Sequence, residues 1–241
     1  MARRLILVSG FSATGKSSSL EHLREPEKWL YINTEIKDLP FPHKFKECKI
    51  YDPKKILELF DAIEANPQKF KGIIIDSLSF LMDKFEEMYI NADDVVDTRA
   101  AWADYGKFFK DLIFNKIGKF QGDVICLAHV LDFDDPATLT KKIYVPIKGS
   151  LKNQGVEAYF SFVVSTKKKT LMELEDYHND MLHITEEDEI EGFKYVFQTK
   201  IDKKTLGERI RAPKGLFSIK ETFIDNDCQV LLDKLDEYYA Y

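Results

Sequence analysis

The chain is poor in cysteine, almost empty of arginine through its middle and without a long apolar run, and each scarcity removes a class of protein. Its three cysteines, Cys48, Cys126 and Cys228, are odd in number and form no CxxC pair, which sets aside a disulfide framework and a thiolate zinc site. No stretch approaches the ~18 uninterrupted apolar residues of a membrane span. The first strand candidate begins at Leu5, leaving no room for a leader, so a cytoplasmic protein is expected. There is no internal repeat and no Pro/Gly/Ser-rich linker, so residues 1–241 are expected to form a single domain.

What is present is ordinary in bulk and uneven in detail. Hydrophobic residues make up 44% and charged residues 32%, enough for a substantial core. The net charge of −6 argues against adhesion to nucleic acid by the whole surface. Charge nevertheless comes in blocks. Lys141 to Lys169 holds seven lysines against Glu157, Glu173 to Glu191 holds nine acids and no Lys or Arg, and Lys194 to Lys220 is basic again. Such blocks can present a basic groove on an acidic protein. The acidic block, with His178 and His183, fits no metal spacing and reads as an exposed hairpin.

Through the first 130 residues, apolar runs of strand length alternate with helical patterns, the signature of an α/β fold with a mostly parallel sheet flanked by helices. The strands are expected at Leu5 to Ser9, Trp29 to Asn33, Gly72 to Ile75 and Asp123 to Ala128. The helices are expected at Lys16 to Arg24, Pro53 to Asn66, Leu78 to Ile90 and Thr98 to Ile117. Beyond Lys141 the chain reads as β-rich, with strands at Ile143 to Val145, Tyr159 to Ser165, Leu171 to Leu174 and Lys194 to Lys200. It closes on an amphipathic helix from Cys228 to Tyr239.

The most specific signal is Gly10-Phe11-Ser12-Ala13-Thr14-Gly15-Lys16-Ser17, a complete GxxxxGK[ST] phosphate loop directly behind the first strand. Backbone N–H groups of a glycine-punctuated loop cradle a polyphosphate, and the loop with Ser18 is the candidate nucleotide site. Lys16 would neutralise the β- and γ-phosphates, Ser17 would hold Mg²⁺, and a helix starting near Gly15 would add its positive dipole end. Gly72-Ile73-Ile74-Ile75-Asp76 ends an apolar strand in an acid suited to steer Mg²⁺. Glu35 ends the second strand and would activate water if that strand neighbours the first. His129 ends the fourth strand, where a polar group can sense the γ-phosphate.

In this order the motifs resemble the RecA-like P-loop NTPase core, closest to the compact phage-encoded ATPases of single-strand annealing and recombination. The resemblance covers about residues 3–215, with the C-terminal helix, about 228–240, outside it. It implies ATP and Mg²⁺ as cofactors, Glu35 as the catalytic glutamate with Lys16 and His129 beside it, single-stranded DNA as partner and a homo-oligomer. It also implies a host-cytoplasmic location if the protein is phage-encoded. DNA-facing loops would lie near Asn91 to Thr98 and Leu131 to Lys142. Lys200, Arg209 and Arg211 would be candidate cations for a neighbour's site, and Lys141, Lys142, Lys148 and Lys152 candidate DNA contacts, with Tyr144, Tyr159 and Phe160 as stacking candidates or core. Two alternatives stay open: a P-loop kinase of a nucleoside or small acceptor, and a nucleotide-gated binding module. Against the kinase, only Arg99 lies between Arg24 and Arg209 to build an arginine-bearing lid.

Overall fold

The computed structural model describes residues 4–136, 140–151 and 155–240. Strands β1 (Leu5–Gly10), β2 (Trp29–Asn33) and β3 (Lys46–Lys49) come first with no α-helix between them, followed by helix α1 (Lys55–Glu64), strand β4 (Gly72–Asp76), helices α2 (Leu78–Tyr89) and α3 (Thr98–Lys110), and strand β5 (Asp123–His129). A separate antiparallel pair, β6 (Leu131–Asp135) and β7 (Thr140–Tyr144), follows β5. The chain then returns to the main sheet through β8 (Phe162–Thr170), the short helices α4 (Leu171–Leu174) and α5 (Glu186–Glu191), β9 (Phe193–Gln198), β10 (Phe223–Asp225) and helix α6 (Cys228–Tyr239).

The eight-stranded sheet runs β10-β9-β8-β1-β5-β4-β2-β3. From β8 to β3 every pairing is parallel, while β9 and β10 are antiparallel additions at one edge. Alternation along each central strand feeds two cores. Leu5 and Leu7 of β1 join Ile73, Ile75, Val124 and Cys126 beneath α1, α2 and α3. Ile6 and Val8 join Ile74, Ile125, Leu127 and Phe197 beneath α6 on the other face. All parallel strands end on one edge, and that edge carries the phosphate loop.

The helix expected from Lys16 to Arg24 is not formed. Only a single 3₁₀ turn, Ser18–Leu20, follows the loop, so no long helix dipole stands behind it. Three successive serines are weak helix formers, and the Ser19 hydroxyl donates to the Lys16 carbonyl at 2.6 Å alongside the Ser19 N–H at 3.3 Å, closing a tight local turn. Leu171 to Leu174 is helix rather than strand, because Thr170 and Glu173 close a reciprocal capping box. A second box, Thr185 with Asp188, starts α5, so the acidic block is two capped helical turns and not a hairpin. The helix expected from Pro53 begins at Lys55, with Asp52 accepting from the Lys54 N–H at 2.9 Å. The long helix from Thr98 passes at Asp111 into a π segment ending at Lys116. Residues 131–142, expected as a loop, are largely the strands β6 and β7.

Candidate functional site

β1 delivers Gly10 to the sheet edge opposite His129 of β5, and β4 delivers Asp76 opposite Asn33 of β2. Positive φ at Ala13 (59°) and Gly15 (88°) alternates the backbone hand, which turns successive N–H groups toward one side of the loop. Gly10 is there for close approach: a Cβ would stand 2.0 Å from the Thr166 hydroxyl oxygen. Two distant residues fix the loop from outside. The Thr14 and Thr166 hydroxyls are 2.5 Å apart, and the Asn226 amide donates to the Gly15 carbonyl at 2.7 Å.

Lys16 is buried, and its ammonium donates to the carbonyls of Gly10 (3.1 Å) and Phe11 (2.8 Å). Its third contact is Nδ1 of His129 at 3.3 Å. An ammonium has only protons to give, so Nδ1 accepts, and Nε2–H is then the donor to Glu35 Oε1 at 3.3 Å. The same carboxylate oxygen accepts from the Ser77 hydroxyl at 2.9 Å, and Lys37 lies 3.7 Å from the other oxygen. Beside this line, Asp76 Oδ2 accepts from both the Ser17 and the Tyr31 hydroxyl at 3.0 Å. The Asp76 and Ser77 backbones are held by Thr34, which donates its N–H to the Asp76 carbonyl and its hydroxyl to the Ser77 carbonyl.

Charge in this cluster is strained by lack of water. Burial, with repulsion from Glu35, raises the Asp76 carboxyl to about 6 against its bonds from Ser17 and Tyr31. Burial lowers Lys16 to about 8, opposed by Glu35 and Asp76. Burial also works against the Glu35 carboxylate, but its hydrogen bonds from His129 and Ser77 outweigh it and hold the group below its ordinary value.

The donor set suits a nucleotide with Mg²⁺. Ser17 and Asp76 offer hard oxygens side by side, and a buried carboxylate raised by desolvation is one that a divalent cation would favour in charged form. Among the described residues no three His, Cys, Asp or Glu side chains gather into a cage. A cation here would therefore share its ligands with phosphate oxygens.

The structure brings together Lys16, Ser17, Glu35, Asp76 and His129, all named by the sequence. The condition attached to Glu35 fails, since β5 and β4 stand between β1 and β2. Glu35 still arrives, because all these strands end on the same edge and His129 spans the gap. Tyr31, Thr34, Ser77, Thr166 and Asn226 were missed. Ser77 directly follows the Gly72–Asp76 run, whereas Thr166 and Asn226 have no local pattern.

The outlying candidates are engaged elsewhere. Lys141 pairs with Asp132 at 2.6 Å and Lys148 with Glu86 at 2.6 Å. Lys142 sits over the Phe133 ring at 5.8 Å, and Lys152 lies outside the described residues. Lys200 donates to the Phe217 carbonyl at 3.3 Å, Arg209 to Glu157 at 3.1 Å and Arg211 to the Ala158 carbonyl at 3.3 Å. Antiparallel β9 carries Lys200 away from the phosphate-loop edge. Phe160 is core, and Tyr144 and Tyr159 are half-buried.

A phosphate loop on the first strand of a mostly parallel sheet, with a strand inserted before the one bearing Asp76, defines a P-loop NTPase of RecA-like fold. The model of the AAA domain family matches residues 2–201, and the chain belongs to that family. No curated protein matches it. Among solved structures, a KaiC-like protein from the hyperthermophilic archaeon Pyrococcus horikoshii OT3 is 12% identical. The match covers 85% of this chain and 81% of that one, with a TM-score of 0.44. Among the described residues no helix is long and apolar enough to cross a membrane.

Proposed function

We propose that this chain is an Mg²⁺-dependent ATPase that acts on single-stranded DNA, in recombination, annealing or repair, as a homo-oligomer. The observation that carries the catalytic half is the hydrogen-bonded line Lys16–His129–Glu35 running beside the Ser17–Asp76 pair. Bound Mg²⁺ would neutralise charge on the β- and γ-phosphates, with Ser17 and Asp76 as its holders. Lys16 exchanges two backbone carbonyls for phosphate oxygens. Glu35, held as a carboxylate by Ser77 and His129, accepts a proton from the attacking water. His129 touches the lysine that grips phosphate and the base that activates water, so it reports the state of one to the other.

Two features support the DNA half. β6 begins two residues after His129, and its Leu131 and Phe133 are exposed at 55% and 44%. A hairpin with exposed apolar side chains, rooted at the γ-phosphate sensor, is a natural output for nucleotide state. Assembly supplies what the site lacks: among the described residues the network around Lys16 contains no arginine, and a further transition-state cation would come from a neighbour.

A second reading, transfer of phosphate to a small acceptor, draws on a cavity of about 440 Å³ beside His129, lined by Phe80, Asp83, Tyr105 and Lys148 among others. ATP turnover by the wild type and by Lys16→Ala, with and without single-stranded DNA at two salt concentrations, separates the two. DNA-stimulated turnover that disappears in Lys16→Ala supports the proposal. Turnover that requires a nucleoside and ignores DNA overturns it in favour of the kinase.

A further inference from the structure

Two of the lysines that the sequence offers to DNA, Lys141 and Lys148, are each paired with an acid of the same chain. Uncompensated positive charge lies elsewhere. Arg99, Lys107 and Lys110 are exposed and, among the described residues, form no ion pair. Their spacing puts them on one face of α3, Arg99 about 16 Å along the axis from Lys110 at 1.5 Å per residue.

The same face is concave and aromatic. Arg99, Lys107 and Lys110 line a groove of about 720 Å³ with Trp102, Gly106 and Phe114. Phe114 is 57% exposed, a high value for a phenylalanine with no partner chain to cover it. Asp111, the groove's acid, accepts from the Asn115 amide at 2.5 Å. Gly106 leaves the groove floor free of side chain between the cations.

We infer that this groove on α3 binds a single strand of nucleic acid, with Arg99, Lys107 and Lys110 on phosphates and Trp102 and Phe114 stacking on bases. Cations beside one exposed ring, Phe114, which meets Tyr159 edge-on at 5.4 Å, and one half-buried ring, Trp102, fit the pattern of sequence-tolerant single-strand binding. An acidic protein surface would satisfy the cations but leave the exposed Phe114 ring unexplained. The position also suits coupling. Phe85 of α2 packs on Phe108 of α3 at 4.8 Å, and α2 is capped at its N-terminus by Ser77, whose hydroxyl holds Glu35.

The inference rests on the DNA half of the proposed function and is separable from it by experiment. Anisotropy of a labelled thymidine oligonucleotide is read against residues 1–241 over a salt series, with melting temperature as the check on folding. For Lys107→Ala/Lys110→Ala we expect weaker binding and a slope of log K against log salt shallower by about 1.4, ~0.7 for each lost phosphate contact on a single strand. Phe114→Ala should weaken binding about tenfold with the slope unchanged, since stacking releases no counterions. Lys141→Ala/Lys148→Ala should bind as the wild type does. Wild-type affinity and slope in Lys107→Ala/Lys110→Ala would overturn the assignment while leaving DNA binding intact. So would a variant that loses self-association by light scattering yet keeps the oligonucleotide, since the groove would then receive a second copy. A wild type that binds no oligonucleotide at low salt refutes the DNA half itself.

Discussion

Replacing Asp76 with asparagine should make the nucleotide-free protein more stable. The carboxyl is 4% exposed and sits near Glu35, and its folded value of about 6 stands above its ordinary 3.8. A carboxyl raised on folding holds its proton longer in the native state than in the unfolded one. Between those two values unfolding releases a proton, so wild-type stability falls as pH rises through that window. At 1.36 kcal/mol per unit, the rise corresponds to about 3 kcal/mol lost by pH 7. Asparagine has the same shape and an oxygen that still accepts from Ser17 and Tyr31, and it does not titrate. For a chain of this size the gain amounts to at most ~10 °C in melting temperature. Thermal melts of both proteins from pH 3.5 to 8 should coincide below about pH 4, separate between 4 and 6, and stay separated above. Mg²⁺ with nucleotide should raise only the wild type and narrow the gap. An asparagine variant that melts at or below wild type at pH 7.5, or a gap that ignores pH, would refute the reasoning.

Glu35→Gln keeps an oxygen for Ser77 and His129 but loses the base, so turnover should fall by about 10²–10⁴ while nucleotide affinity holds. A phosphate-release assay showing less than a tenfold loss would remove Glu35 from catalysis. Because burial lowers Lys16 to about 8, nucleotide phosphates should restore its proton. Calorimetry at pH 9 in buffers of different ionisation heat should find uptake approaching ~1 proton per nucleotide, absent in Lys16→Ala. No uptake by the wild type would refute that. Far from the site, buried Arg4 bridges Asp123, the Leu232 carbonyl (3.0 Å) and Asp236 (2.7 Å), tying β1 and β5 to α6. Asp123→Ala leaves that guanidinium only Asp236 and the Leu232 carbonyl and should cost about 1.5–3 kcal/mol in urea unfolding, with a loss under ~0.5 kcal/mol counting against the bridge.

The legible parts of the fold were those where one local pattern decides the outcome. β1, β2, β4 and β5 are apolar on both faces and stand out as runs, and α6 matches its expected bounds from Cys228 to Tyr239. β3 was invisible because Lys46-Glu47-Cys48-Lys49 is a mostly exposed edge strand whose sole pairing is to β2. The 3₁₀ turn after the phosphate loop was misread because apolar spacing at Leu20 and Leu23 suits a helix, while the three serines before Leu20 decide locally against one. The capping boxes at Thr170 and Thr185 were written in the sequence and outweighed the apolar spacing around them. Of the site, the residues on motif-bearing strand ends were legible. Thr166 and Asn226 were not, since what brings them to the loop is the return of β8 beside β1 and the start of α6, which is a property of the whole sheet.

That return defines the smallest piece of chain worth expressing. A fragment cut to residues 2–201, the span of the family match, keeps every motif letter from Gly10 to His129. It discards β10, which pairs with β9, and Asn226, which holds the Gly15 carbonyl. Such a fragment would look intact in an alignment and be loosened at the phosphate grip, with the bare flank of β9 open to pairing with another molecule. Boundaries for expression, or for grafting this phosphate-loop domain onto another protein, therefore belong after α6.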